Sequence, residues 1–161
     1  MRHRGSGRLA QALGRKVTMQ LIPNARVWSQ GREYVEAAEI LLDYNRVHPA
    51  AVLAALAIEI FIKSFLATRL PTGHASTKHG HGIFELYERI APDIRADLIV
   101  CSSEIDSAVA FEVELKRHDG IFTTARYFYE PTAPGSIGSD TVYFARHLCE
   151  SVLRLGKRRG V

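Results

Sequence analysis

The stretch from residue 50 to residue 70, AAVLAALAIEIFIKSFLATRL, constrains the fold of this chain most strongly. A helix that is apolar on almost every face is either a membrane span or the buried centre of a bundle. The longest uninterrupted apolar run covers only residues 50–58, and Glu59 and Lys63 follow it, whereas a membrane span needs about 20 apolar residues. The sequence therefore predicts a buried central helix and no membrane partner.

Helical spacing of apolar residues recurs on both sides of this stretch. It predicts further helices from Trp28 to Asn45, around residues 83–90, from Pro92 to about Lys116, and after Ser139 or Asp140, either of which can cap the last one. The predicted inner stripes are Tyr34, Ala37, Ala38, Leu41 and Tyr44; Ile83, Leu86, Tyr87 and Ile90; Ile94, Leu98, Cys101, Ile105 and Val109; and Val142, Ala145, Cys149 and Val152. No stretch alternates with a period of two, so the predicted fold class is all-α, an antiparallel bundle of about five helices.

The positive charge of the chain is concentrated at its two ends. The 161 residues carry a formal charge of +4, which by itself hints at anionic partners such as nucleic acid. However, residues 1–32 hold seven basic residues and no acid, and residues 154–161 hold four more and no acid. The intervening residues hold ten basic and all 17 acidic residues, a formal charge of −7. The basic ends therefore either grip phosphates non-specifically or act as solubilising tails.

The same asymmetry divides the chain into three parts. Residues 1–27 are predicted to be a basic, flexible segment, residues 28–155 a helical domain and residues 156–161 a basic C-terminal tail. The pattern typical of a folded protein begins near Met19, so translation starts either at Met1 or at Met19.

The chain has only two cysteines, Cys101 and Cys149, and no C-x-x-C pair. Two thiols in helical stretches are typical of small buried residues in a reducing compartment. The sequence therefore predicts a cytoplasmic protein.

Glu59 and Lys63 are the unusual residues of the apolar stretch. Four positions apart, they share one helix face, and an unpaired charge there would be costly to bury. They form either an ordinary surface pair or, as the apolar surroundings favour, part of a buried polar network. The segment ARYFYE concentrates charge and aromatic rings, so its predicted contributors are Arg126, Tyr127, Tyr129 and Glu130.

Three segments together resemble the HEPN domain of prokaryotes. They are AALAIEIFIKSFLA, then Gly80-His81 before a helix that continues as IFELY, and then ARYFYE. The resemblance covers roughly residues 28–155. It implies a helical bundle that forms a homodimer and associates with RNA, a nucleotide or a cognate protein in a toxin–antitoxin or defence system. It also implies a structural or pocket-lining role for His81.

Active members of this family are metal-independent ribonucleases with an arginine followed, after four to six residues, by a histidine. Arg69 and His74 have that spacing, but they follow the central helix in a loop. Arg126 is followed by no histidine in range, and Arg146 and His147 are adjacent. The departure favours a binding role; the alternatives are a ribonuclease and a purely architectural subunit. Candidate catalytic residues for the ribonuclease are Arg69, His74, His81 and Arg126.

The histidines of the loop at residues 71–82 also raise the question of a metal site. His74, His79 and His81 lie within eight residues, but their intervals match no structural zinc spacing, and no thiolate or carboxylate lies between them. The loop also lacks the spacing of a phosphate-binding glycine loop. The sequence therefore predicts neither a metal nor a cofactor.

Overall fold

A computed structural model describes residues 23–69, 75–76, 80, 82–121 and 138–160 of the chain. These residues form six helices, which confirms the all-α prediction. The helices are α1 (Ala25–Asp43), α2 (Val47–Ser64), α3 (Ile83–Glu88), α4 (Pro92–Ile105), α5 (Phe111–Arg117) and α6 (Ser139–Arg158). Between α2 and α3, β1 (Thr68–Arg69) pairs with β2 (Ala75–Ser76) in antiparallel register, with Thr68 opposite Ser76.

Helix α2 lies at the centre of the bundle, as its all-round apolar sequence predicts. It packs against α1, α3 and α6, and its buried residues include Ala54, Ile58, Phe61 and Ile62. The helix is shorter than the stretch 50–70, because it ends at Ser64 and the chain continues into β1. It also begins three residues earlier, since the Pro49 ring is tolerated in a first helical turn, where no intrahelical N–H partner is lost.

The buried stripe of α1 differs from the predicted one. Its buried residues are Gly31, Val35 and Ala38, whereas Tyr44 at the end of the helix is 76% exposed. Gly31 explains the displacement, because a Cβ atom there would lie 2.7 Å from Cε1 of Phe61. The missing side chain lets α1 approach the Phe61 ring of α2 directly.

The single helix predicted from Pro92 to Lys116 is in fact two helices. α4 ends at Ile105, and Asp106 adopts an extended backbone with φ −151° and ψ 110°. The Asp106 carboxylate accepts a hydrogen bond from the backbone N–H of Ala108 at 2.9 Å. Such a side-chain bond offers the backbone an alternative to the helix, and the chain turns before α5 begins at Phe111.

Helix α6 has the predicted buried stripe, with Val142, Ala145, Cys149 and Val152 all in the core. Its cap was predicted wrongly, because the N-cap residue is Gly138 and no side chain bonds there. The Asp140 carboxylate instead pairs with Arg117. Cys101 and Cys149 are free and buried.

Candidate functional site

Glu59 and Lys63 form an ion pair inside α2. The Lys63 Nζ lies 2.5 Å from the Glu59 Oε1, and the two side chains are only 14% and 5% exposed. The pair is therefore buried between apolar neighbours rather than solvated on a helix surface.

The other members of the predicted network lie outside the described residues. These are His81, Arg126, Tyr127, Tyr129 and Glu130, and the catalytic candidate His74 lies outside the described residues as well. The backbone of Arg69 belongs to β1. The meeting of these residues with Glu59, and their catalytic or binding roles, stay predictions.

The basic residues at the C-terminal end are held by acids of α4. Arg158 bonds both Glu104 oxygens at 2.7 and 2.8 Å, and Arg154 lies 3.3 Å from Glu104. The hydrogen bonds from these arginines lower the pKa of Glu104. Arg159, just after α6, bonds Asp97 and Asp93.

These ion pairs show that the basic residues at the C-terminal end are not a free tail. α6 continues to Arg158, so the boundary predicted at residue 155 falls within a helix. Three of the four basic residues predicted to form a phosphate-gripping or solubilising tail are already paired with carboxylates. Their positive charge is largely balanced within the molecule.

Arg95 of α4 is the described arginine whose surroundings differ most from these. Its guanidinium carbon lies 5.5 Å from the centroid of the Tyr87 ring. Its Nε is out of contact with water and has no hydrogen-bond partner. Within the described part of the chain, no carboxylate forms an ion pair with Arg95, and Arg26 and Arg46, which have none there either, are exposed.

Tyr87 is held in place from several sides. Its hydroxyl donates a hydrogen bond to Glu112 of α5 at 3.0 Å, and its ring lies against Phe84 and Phe111, with centroid distances of 5.8 and 6.0 Å. Burial, followed by the hydrogen bond to Glu112, raises the pKa of the Tyr87 phenol well above its usual range. The phenol is thus a neutral donor, and the ring is a fixed platform beneath the Arg95 guanidinium.

Further charged groups surround the same end of the bundle. The Lys116 Nζ lies 4.5 Å from the centroid of the Phe84 ring, and an Asp119 oxygen accepts a hydrogen bond from the backbone N–H of Phe84 at 3.4 Å. We call Tyr87, Arg95, Glu112 and Lys116 the α3–α5 cluster, since α3, α4 and α5 supply them.

The sequence did not single out this cluster. Tyr87 was assigned to the apolar stripe of α3, where it is indeed fully buried. Arg95 directly follows the core residue Ile94. The spacing of residues in the sequence does not show which group the Arg95 guanidinium contacts. The only available signal was a basic residue beside the inner stripe of a helix.

A second polar contact joins α4 and α6. The Ser102 Oγ and the His147 Nε2 share a hydrogen bond at 2.7 Å, and Ser102 is fully buried. Burial lowers the pKa of His147. Because solvent does not reach Ser102, the pair serves packing rather than nucleophilic chemistry.

Neither a metal centre nor a membrane assignment follows from the described residues. Among them, no group of three or more His, Cys, Asp or Glu residues is placed to hold a metal ion. α2 is long and apolar enough to cross a membrane, with a mean hydropathy of 1.6, and 56% of it is buried within the bundle.

In comparisons with known proteins, no family model matches the chain, and no curated protein or solved structure matches it significantly.

Proposed function

We propose that this chain is a HEPN-like antiparallel helical bundle that forms a homodimer and binds a phosphate-bearing ligand, RNA or a nucleotide, without catalysis. The observation that carries the proposal is Arg95, whose Nε is removed from water and has no hydrogen-bond partner. This Nε–H has lost its hydration, and an anion bound at the guanidinium would compensate for that loss.

The geometry around Arg95 suits a phosphate better than a further protein contact. The planar guanidinium donates to phosphate oxygens in a fork, and stacking on an aromatic ring restricts its orientation before the ligand arrives. Tyr87 supplies that ring, and its own hydroxyl is already bonded to Glu112. Lys116 of α5 lies over the Phe84 ring, which in turn lies against Tyr87.

The neutralised C-terminal end also supports a localised site. An RNA held by many unpaired surface cations loses affinity steeply as salt rises, because each phosphate contact releases counterions. Here Arg154, Arg158 and Arg159 are paired with acids. We therefore expect the C-terminal end to contribute little to the salt dependence of RNA binding.

The test is an NMR titration of the ¹⁵N-labelled protein with AMP in one arm and with a short single-stranded RNA of mixed sequence in the other. The Arg95 Nε–H resonance and the amides of α3 to α5 are expected to shift in a saturable way. Saturation by AMP identifies a nucleotide ligand, and saturation by RNA alone identifies a polynucleotide. Shifts confined to residues remote from the α3–α5 cluster, or no saturation in either arm, would overturn the proposal.

Exposed apolar side chains favour association with a second protein chain as an additional role. Ile40 of α1 is 58% exposed, Tyr44 just after α1 is 76% exposed, and Tyr143 of α6 is 65% exposed. Ile40 follows Glu39, which forms an ion pair with Arg146, one turn beyond Tyr143. This contact brings the C-terminal part of α1 alongside the start of α6, so the proposed dimer face combines both helices.

Light scattering after size-exclusion chromatography tests this face. The wild type is expected to elute as a dimer and Tyr44→Glu as a monomer. Val113→Glu is the matched control, because Val113 is similarly exposed on α5 and its replacement should leave the dimer intact. A monomeric wild type, or a dimer that Tyr44→Glu leaves unchanged, argues against dimerisation through this face.

A further inference from the structure

Two histidine rings lie nearly parallel to one phenylalanine ring at the junction of α4, α5 and α6. The His118 ring is stacked on Phe144 with a centroid distance of 4.9 Å and an interplanar angle of 14°. On the same helix as Phe144, His147 is nearly parallel to it, with a centroid distance of 6.5 Å. We call His118, Phe144 and His147 the histidine stack.

The stack is bonded to backbone and side chains at both ends. The His118 Nδ1 lies 2.8 Å from the backbone oxygen of Glu114, and the His147 Nε2 lies 2.7 Å from the Ser102 hydroxyl. His118 is only 1% exposed, and Ser102 is fully buried. The stack therefore ties the end of α5 and the last turn of α4 to α6.

We propose that the histidine stack makes the packing of α4 and α5 on α6 sensitive to pH, so that mild acid loosens this side of the bundle. Histidine is the side chain that changes charge between about pH 5 and pH 8. A proton on His147 places a positive charge beside the Phe144 ring and next to a fully buried hydroxyl. The hydroxyl must then accept a hydrogen bond rather than donate one.

The charged groups that face His147 oppose this effect only in part. They are Asp106, just beyond the end of α4, and Glu150 on α6 itself, and both favour the protonated imidazole. At the other histidine of the stack, the carboxylate of Glu114 lies 3.8 Å from the His118 Nδ1. Burial outweighs Asp106 and Glu150, and it lowers the pKa of His147 from its ordinary value of 6.5.

Because the pKa of His147 is lowered in the packed state, stability falls with falling pH. As pH falls below 6.5, the unfolded or locally opened chain binds a proton at His147 before the packed chain does. The packed state therefore loses stability as the pH falls from the ordinary value towards the lower pKa of the packed state. Above the ordinary value, the contribution is fully present.

Urea unfolding at about pH 7.5 and about pH 5.5 tests the proposal, because this interval brackets ordinary histidine titration. The wild-type midpoint is expected to fall between the two values, and the His147→Gln midpoint to fall distinctly less. Ser151→Ala is the matched control, since it removes a hydroxyl that bonds the backbone oxygen of His147 and leaves the imidazole in place. It should retain the full wild-type pH dependence. An equal fall in wild type and His147→Gln would overturn the proposal.

Hydrogen exchange of the wild-type protein gives a readout that needs no variant. After correction for intrinsic rates, amides of α5 and of the first half of α6 are expected to exchange faster at the lower pH, while those of α1 keep their protection. Unchanged protection in α5 and α6, or a uniform loss across all helices, would contradict a local pH-sensitive junction.

Discussion

The Lys63 ammonium lies 2.5 Å from the Glu59 carboxylate within α2, the most apolar of the described helices. Both side chains are largely shielded from water, so their attraction acts in a medium of low polarity, and each compensates for part of the hydration that the other has lost. The pair therefore forms part of the core of the bundle.

Lys63→Met is expected to destabilise the protein by about 3 kcal/mol, because it removes the ammonium that compensates for part of the hydration lost by the buried Glu59 carboxylate. The free energy of unfolding in urea measures the loss. The double variant Glu59→Met/Lys63→Met, which removes both charges, should be less destabilised than Lys63→Met alone. A single variant as stable as the wild type would contradict the buried role of the pair.

Gly31→Ala is expected to destabilise the protein by about 1 kcal/mol net. The added Cβ would lie 2.7 Å from the Phe61 ring, and overpacking a core costs about 1–3 kcal/mol, which exceeds the gain in helix propensity of up to about 1 kcal/mol. Thermal unfolding measures the change. Gln30→Ala, at an exposed position of the same helix, should be neutral or slightly stabilising, and a stabilised Gly31→Ala would show that the helices have room to separate.

Tyr87→Phe is expected to lower the free energy of unfolding by about 1 kcal/mol, the typical net value of one hydrogen bond. It removes the donor to Glu112 but keeps the ring beneath Arg95, so ligand affinity should change little. Urea unfolding and a binding titration of the same variant separate the two effects. Tyr143→Phe, at an exposed site, is the control. A large loss of affinity without a loss of stability would instead make the hydroxyl a ligand contact.

The sequence predicted the helix packing correctly where a pattern of apolar residues is compatible with only one position in the bundle. A helix that is apolar on every face has to lie at the centre, and α2 does. The break at Asp106 was missed because the apolar spacing continues across it, with Ile105 and Val109 in step with the stripe of α4. The hydrogen bond between the Asp106 carboxylate and the backbone N–H of Ala108 ends the helix there. This bond competes with the helical backbone bonds, and the spacing of apolar residues gives no sign of it.

The charged residues were harder to interpret because their partners come from other helices. Arg154, Arg158 and Arg159 look like a free basic tail in the sequence, yet their partners lie about 50 to 60 positions earlier on α4. Arg95 is the reverse case, since only the packing of α3 against its neighbours shows that its guanidinium faces a ring rather than a carboxylate.

The purified protein is expected to leave RNA intact in the presence of EDTA, because the arginine–histidine spacing of the active ribonucleases is matched only by Arg69 and His74, which follow α2 in the sequence and not the start of a late helix. Gel electrophoresis of total RNA after incubation is the measurement. Cleavage that Arg69→Gln/His74→Gln abolishes would establish the ribonuclease alternative, and cleavage that survives the loss of Arg69, His74, His81 and Arg126 would indicate contamination.

The affinity of Arg95→Gln for single-stranded RNA, measured by fluorescence anisotropy at one fixed salt concentration, tests the proposed binding site most directly. Loss of a charge-assisted contact of about 1.5–3 kcal/mol predicts a Kd at least about tenfold higher than that of the wild type. The triple variant Arg154→Gln/Arg158→Gln/Arg159→Gln, which removes more charge from paired positions, should lose less. An Arg95→Gln variant with the same Kd as the wild type, or a greater loss of affinity in the triple variant, would contradict a phosphate site at Arg95.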